Sequence, residues 1–396
     1  MYPLLRGSPG HRGRRACSSA SRTLTAACDA GYMTALLALL GLGVLDAAGY
    51  SVVVPVTPAI AAATGAGPAL IGALVASFPA AMLVGYLLAG SGIRRRRPTV
   101  VLAGALVLLA LGSLGFVLGA GLPAYFAART VMGLGSGALW IAISFATLEH
   151  WPGREYQGMS RIYAAYSVGG LVGPALGAIG GVRGPFLAYL ALVALALPLV
   201  VAVGTPPRRR RFETDRGALR LPGFWLACVG VLFAILALGM IEGVLPLRLA
   251  GWFDQAQIGW LYTGMALLLA ASAVVAGRVA PRGALAAAVV LVPAGVAVAG
   301  AAGTAPLFLA GLAVAAVGVG VGETGSTGVL LESVAPERIV TAMVLWSAIG
   351  IAGYLAGPVI GGAVAQAFGY PALGLVPLAV AAALLAAFSR ASRPVR

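Results

Sequence analysis

The sequence predicts an all-α membrane protein, with twelve transmembrane helices arranged as two pseudo-symmetric six-helix bundles. Three observations predict it. Hydrophobic residues make up 60% of the 396-residue chain and charged residues only 9%, with a mean hydropathy of +0.99. A soluble surface needs far more charge than this. Apolar runs of about 20 residues, the length that crosses a bilayer core as a helix, recur twelve times. Short motifs from the first half return in the same order in the second.

The runs lie near 34–57, 68–90, 99–119, 123–148, 159–181 and 185–204, then 222–247, 258–278, 283–302, 305–331, 338–366 and 370–388. Gly and Pro occur inside them, at Gly41, Gly43, Pro55, Pro174 and Pro358, as membrane helices tolerate. The runs divide the chain into a basic cytoplasmic tail (1–33), a first bundle (34–204), a linker (205–221), a second bundle (222–388) and a short cytoplasmic tail (389–396). The first tail carries Arg6, Arg12, Arg14, Arg15 and Arg22 and reads as disordered rather than as a signal peptide. A start at Met33 is the alternative.

Arginine sets the orientation. With both ends in the cytoplasm, that side collects the tail, Arg94 to Arg97, Arg154, Arg161, Arg208 to Arg211, Arg216, Arg220, Arg278, Arg282, Arg338, Arg390, Arg393 and Arg396. The other side keeps Arg183 and Arg248, and Arg129 falls within a span. This is the positive-inside pattern. The net charge of +15 is therefore topogenic, and no nucleic-acid partner is expected. The linker arginines could also bind acidic lipid. The chain has no Lys and no Asn, which suggests a GC-rich bacterial source and hence the inner (plasma) membrane. Cys17, Cys28 and Cys228 form no CxxC pair, and His11 and His150 lie in a tail and a loop. Neither a disulfide framework, a metal site nor a cofactor is expected. The chain is read as a monomer whose partners are the bilayer, protons and a small molecule.

The internal echoes are specific. GGLVGPALGAIGG (169–181) and AGYLAGPVIGGAV (352–364) place Gly173-Pro174 and Gly357-Pro358 184 residues apart, each followed by small residues including Gly177 and Gly361. GLGSGA (133–138) and GVGVGE (318–323) are 185 apart, and GVLD (43–46) and GMIE (239–242) are 196 apart. A duplicated six-helix membrane unit points to a transporter with its site between the halves. The Gly residues allow close helix contact, and Pro174 and Pro358 each remove a backbone donor. Both effects suit helices that rock.

Of eleven acids, eight fit tails, loops or helix ends, leaving Asp46, Glu242 and Glu323 inside spans. An intramembrane acid costs roughly 2.5–3.5 kcal/mol on insertion scales, so each needs protonation, a partner or a wet cavity. Glu323 reads either as a proton or cation site facing a central cavity or as a neutral carboxyl hydrogen-bonded through Thr327 or Ser326. Arg129 either pairs with an acid such as Asp46 or ties helix ends together. Its helical face includes Gly133, Ser136 and Trp140. Trp140 could offer a cation–π surface or simply pack, and Tyr50 and Trp346 carry the same two readings.

RTVMGLGSG (129–137) resembles the fourth-helix motif of the major facilitator superfamily, and GGLVGPALGAIGG resembles the fifth-helix motif of its twelve-span drug:proton antiporter branch. LDAAGYSVVVP (45–55), MIEGVLP (240–246), Glu323 and YLAGPVIGGAVAQAFGYP (354–371) are similar to the first, seventh, tenth and eleventh helices of vesicular amine transporters, relatives of bacterial multidrug efflux carriers. The resemblance implies a non-enzymatic carrier that exports a cationic or amphipathic compound in exchange for protons. It assigns Asp46, Glu242, Glu323 and Arg129 to coupling and binding. Uptake, or carriage of a neutral metabolite or sugar, is the alternative, and a membrane scaffold is a further one. The loop between the second and third helices departs from the superfamily pattern. GYLLAGSGIRRRRP (85–98) keeps Gly85, Gly92, Arg94 and Arg95, but has Ala89 or Gly90 where the pattern has Asp. The resemblance then implies a weaker latch on the outward-open state.

Overall fold

The computed structural model of the protein describes residues 20–95, 98–151, 155–204, 216–335 and 338–391. Long apolar runs without water to serve their peptide groups satisfy them internally, as helices. The helices are α1 (Ala20–Ser51), α2 (Thr57–Thr64), α3 (Pro68–Arg95), α4 (Pro98–Leu118), α5 (Leu122–His150), α6 (Glu155–Gly177) and α7 (Arg183–Val203). They continue as α8 (Pro222–Leu249), α9 (Gln255–Ala276), α10 (Pro281–Ala301), α11 (Ala305–Ser333), α12 (Ile339–Phe368) and α13 (Leu375–Ala391). Helices α1 and α2, joined by a tight turn at Val54–Val56, make one span, so the twelve expected spans are present. Among the described residues, ten are long and apolar enough to cross a bilayer by that measure alone. The other two are α6, which opens on Glu155 and Arg161, and α13, whose apolar stretch is shorter.

Two boundaries differ from expectation. Helix α1 begins at Ala20, inside the stretch read as a disordered tail. From Ala20 to Ala30 the sequence has no Gly or Pro, so nothing breaks the helical pattern running back from the first span. The first span also runs on to Thr64 rather than ending near 57. Pro55 interrupts it without ending it, and Gly65, at φ 69°, closes it. The linker arginines 208–211, with Arg96 and Arg97, lie outside the described residues.

Each half has its own apolar core. One is built from residues between Leu36 and Val203, the other from residues between Phe224 and Leu384. Val54, in the turn of the first span, belongs to the second core, so the halves meet at that end. The loops at this end are short (65–67, 119–121, 178–182, 250–254, 302–304 and 369–374); the opposite end carries the start of α1 and the end of α13.

Glycine ridges set the register of the repeat. Gly169, Gly173 and Gly177 on α6 lie against the backbone of Val44, Ala48 and Val52. Gly353, Gly357 and Gly361 on α12 lie against Leu232, Leu236 and Met240 in the same order. The glycines are 184 residues apart, as the sequence echo expects, and their partners are 188 apart. The other two echoes are out of register. At 188, the counterpart of Asp46 is Ala234 and that of Glu242 is Val54, so GVLD and GMIE are not equivalent. Similarly, Gly133 touches the Phe78 carbonyl on α3 where Gly320, 187 residues on, touches the Leu269 carbonyl on α9. Small-residue strings match at several offsets, and which neighbour each glycine meets tells them apart.

Candidate functional site

The break in the first span organises the site. The N–H of Val52 still reaches the Ala48 carbonyl, and then the α-helical ladder stops; Val56 and Thr57 donate to Val53 instead. The carbonyls of Gly49 and Tyr50 thereby lose their amide donors. Arg129, on α5, supplies both: its two terminal nitrogens donate to Gly49 at 3.2 Å and to Tyr50 at 2.8 Å. The guanidinium is fully buried, lies 4.2 Å from the centroid of the Phe78 ring and leaves Nε unpartnered. Of the two readings of Arg129, the pairing with Asp46 does not form: neither Asp46 oxygen has a hydrogen-bond partner. The planar fork matches two adjacent carbonyls, and the helix break presents them.

Around this break the halves touch. Tyr50 packs on Phe78 at 5.8 Å and, across the seam, on Tyr354 of α12 at 4.6 Å between ring centroids. The Tyr354 hydroxyl donates to the Glu242 carboxylate at 2.7 Å. Glu242 is buried on α8 and close enough to Arg129 to feel its charge. The neighbouring carbonyl of Ile241 accepts from Tyr262 of α9 at 2.8 Å. Glu242, Arg129 and Tyr50 are therefore one cluster drawn from both halves.

Asp46 sits apart. It is 1% exposed, and neither carboxylate oxygen has a hydrogen-bond partner. Ser136 lies beside it without closing a bond. Tyr189 is near and donates to the Leu45 carbonyl at 3.2 Å.

Glu323 makes a third station. It is half-buried, and neither residue offered as its partner serves its carboxylate. Thr327 donates to the Glu323 backbone carbonyl at 2.9 Å. Ser326 donates to Ala227 and accepts from the Trp346 indole at 2.8 Å. Trp346 is thereby tied to α11 within the second half and is 6% exposed. Tyr163 on α6 lies within electrostatic reach of Glu323 and 3.4 Å from Ser347 on α12. Trp140 packs edge-on to Tyr163 and Tyr166, at 5.3 and 4.7 Å.

The Gly-Pro segments form the seam. The Pro358 ring fills a notch at Gly239 and Gly243 of α8, while its carbonyl meets Gly72 of α3. The Pro174 carbonyl meets Gly259 of α9. Two glutamines clasp the same end. Gln255 on α9 donates to the Gly177 and Gly181 carbonyls at 2.8 and 2.9 Å, and Gln366 on α12 accepts from the Ala69 amide at 3.1 Å. Thr263 and Leu171 add a weaker contact at 3.4 Å. Nearer the other end, the hydroxyls of Tyr163 and Ser347 face one another across the seam at 3.4 Å. The molecule is closed at the short-loop end.

Of the loop motif, Gly85 packs against Leu134 and Gly137 of α5, and Ala89 is buried while Gly90 has open space. Gly92, Arg94 and Arg95 continue α3, and their side-chain surroundings lie outside the described residues. Sequence reasoning passed over Tyr354, Tyr163, Gln255 and Gln366. Their signal was polarity inside or at the edge of apolar runs, and Tyr354 lies three residues before Gly357. Among the described residues no cluster of His, Cys, Asp or Glu could hold a metal.

The comparisons agree with this architecture. The solved structure of a bacterial homolog of the human lysosomal transporter Spinster, inward-facing and unoccupied, superposes with a TM-score of 0.68 at 15% identity, covering 91% of this chain and 93% of that one. The same homolog, inward-facing and occupied, gives 0.68 at 16% identity over 90% and 92%. The human organic anion transporter MFSD10 (TETRAN) gives 0.61 at 18% identity over 90% and 99%. These likenesses establish the fold. No curated protein matches the chain in sequence. The sequence profile of the Major Facilitator Superfamily matches residues 39–252, more than half the chain. The protein is a multi-pass membrane transporter of a small molecule, not an enzyme, and it belongs to the Major Facilitator Superfamily.

Proposed function

We propose that the protein exports a small organic molecule, cationic or amphipathic and drug-like, in exchange for protons, by alternating access between its halves. With both termini in the cytoplasm of a bacterial cell, the closed short-loop end faces outward and the structure is the inward-facing form. Substrate enters from the cytoplasm or inner leaflet and meets Glu323 beside Tyr163.

The observation that carries this reading is the position of Glu242. It is an intramembrane carboxylate, bonded to Tyr354, whose ring packs on Tyr50 of the opposite half inside the closed end. Its charge state and the closure of that end therefore bear on one another. A ligand that interacts equally with both conformations shifts nothing, so exchange has to be written into carboxylates whose surroundings change as the halves rock. Asp46, buried and without a partner, is a natural proton holder, since an unpaired charge there is costly.

The test uses proteoliposomes loaded with a labelled organic cation. Glu242→Gln and Glu323→Gln proteins are compared for transport driven by a pH gradient and for counterflow without one. The expected result is loss of the gradient-driven component in both, with counterflow surviving in Glu242→Gln. Full gradient-driven transport by both variants removes these carboxylates from the mechanism.

A further inference from the structure

Among the described residues, no acid is paired with Arg248. This arginine lies at the end of α8, where one terminal nitrogen donates to the Ala302 carbonyl just past α10. Its Nε is buried without a hydrogen-bond partner. Asp254, the acid in the loops of that end, is engaged as the N-cap of α9, accepting from the Gln257 amide. Two rings flank the guanidinium, Trp252 at 5.4 Å and Tyr370 at 5.3 Å from their centroids. Trp and Tyr at a helix end settle at the level of lipid headgroups. Orientation does not account for this arginine, because the positive-inside bias would place it at the opposite end.

A groove of about 290 Å³ lies at the same end as Arg248, between α10 and α13, lined by Pro293, Ala294, Ala297, Pro371 and Leu378 among others. Pro371 of its lining follows Tyr370, the ring beside Arg248, in sequence. Ala297 lies five residues before Ala302, about 7.5 Å along the helix axis, so the groove runs from the cation toward the middle of the membrane. Small residues make its floor: Gly374 packs so closely on Ala297 that a side chain there would have no room. Leu375 and Leu378 stand beside it, 65% and 56% exposed.

We propose that this is a specific lipid site. The phosphate of an anionic glycerophospholipid pairs with Arg248 at the short-loop end, and one acyl chain lies in the groove between α10 and α13. Charge complementarity selects this occupant. The groove is apolar and its mouth is a lone cation, which together match an anionic headgroup on a hydrocarbon chain. A second copy of this chain is a poorer match, because its loops at that end offer only Asp254. The bound lipid joins the ends of α8, α10 and α13, all in the second half.

Native mass spectrometry of the full chain in detergent tests this, with dioleoyl phosphatidylglycerol, dioleoyl phosphatidylcholine and dioleoylglycerol titrated separately. Phosphatidylglycerol is expected to bind with a stoichiometry of one and most tightly of the three. Arg248→Gln is expected to weaken it by about tenfold, equivalent to about 1.4 kcal/mol, and Arg248→Lys by less. Ala294→Phe fills the exposed side of the groove without touching the core, so it separates lipid loss from misfolding; it is expected to weaken binding with the melting temperature unchanged. Equal phosphatidylglycerol binding by the wild type, Arg248→Gln and Ala294→Phe overturns the proposal. So does dioleoylglycerol binding as tightly as phosphatidylglycerol, or a protein dimer that Ala294→Phe dissolves in the absence of lipid.

Discussion

Arg129 donates to the carbonyl of Tyr50 across 2.8 Å, at the point where the first span loses its helical hydrogen bonds. A buried guanidinium that sequence reading assigns either to an acid or to helix ends caps a broken helix. The distinction matters for mutagenesis. Removing a charge partner changes coupling, whereas removing a cap changes the shape of the helix that carries Asp46 and Tyr50.

Arg129→Gln should therefore leave two buried carbonyls short of donors, at about 1–3 kcal/mol each. The expected outcome is a lower melting temperature in detergent and loss of counterflow as well as gradient-driven transport. Arg129→Lys should recover part of the stability, since an ammonium lacks the planar fork. Thermal unfolding and counterflow measured on the same preparations check this; an Arg129→Gln protein of wild-type stability refutes the capping role.

The Tyr354 hydroxyl donates to Glu242 at 2.7 Å, and the Tyr50 hydroxyl stands beside the same carboxylate. Tyr354→Phe keeps the ring on Tyr50 and removes that donor, at about 1.5–3 kcal/mol for a bond to a charged group. Counterflow should persist while the dependence of transport on the pH gradient weakens. A gradient dependence identical to wild type separates Tyr354 from coupling.

Gln255 and Gln366 hold the short-loop end closed from opposite sides of the seam. Losing their three hydrogen bonds together removes about 2 kcal/mol in favour of the closed state, which is roughly a thirtyfold shift in population. In a Gln255→Ala, Gln366→Ala protein carrying Thr263→Cys, an impermeant maleimide added at the short-loop face should label much faster than in the Thr263→Cys protein alone. Unchanged labelling means the clasps do not set the equilibrium.

Gly173 and Gly357 occupy equivalent places on the two ridges, and a methyl group at either meets the backbone of α1 or α8. Gly173→Ala and Gly357→Ala should each cost about 1–3 kcal/mol as overpacking, seen as lower melting temperature and yield. Gly170→Ala, which faces open space, is the control and should behave as wild type. Equal behaviour of all three contradicts the ridge register.

The repeat was legible in the sequence through the Gly-Pro segments, where spacing and packing agree at Gly173 and Gly357. It misled at Asp46 and Glu242, whose surrounding residues look alike but whose structural counterparts are Ala234 and Val54. Glycine strings match at several offsets because glycine has no side chain to distinguish one register from another; backbone contact distinguishes them. The polar partners were hidden for a different reason. Tyr354 and Gln366 sit in apolar runs and Gln255 just before one, and a polar residue at such a place does not reveal what it faces.

The sequence by itself determined that this chain crosses a membrane about twelve times, which way the arginines bias it and which three carboxyls lie inside. Those properties follow from transfer free energies, which are summed residue by residue along a single helix. Tertiary structure decided that the three carboxyls occupy three separate stations, that Arg129 serves a helix break and that the short-loop end is shut. Those outcomes depend on how helices distant in sequence are brought against one another, and the local pattern of one span carries no record of its neighbour's depth or rotation.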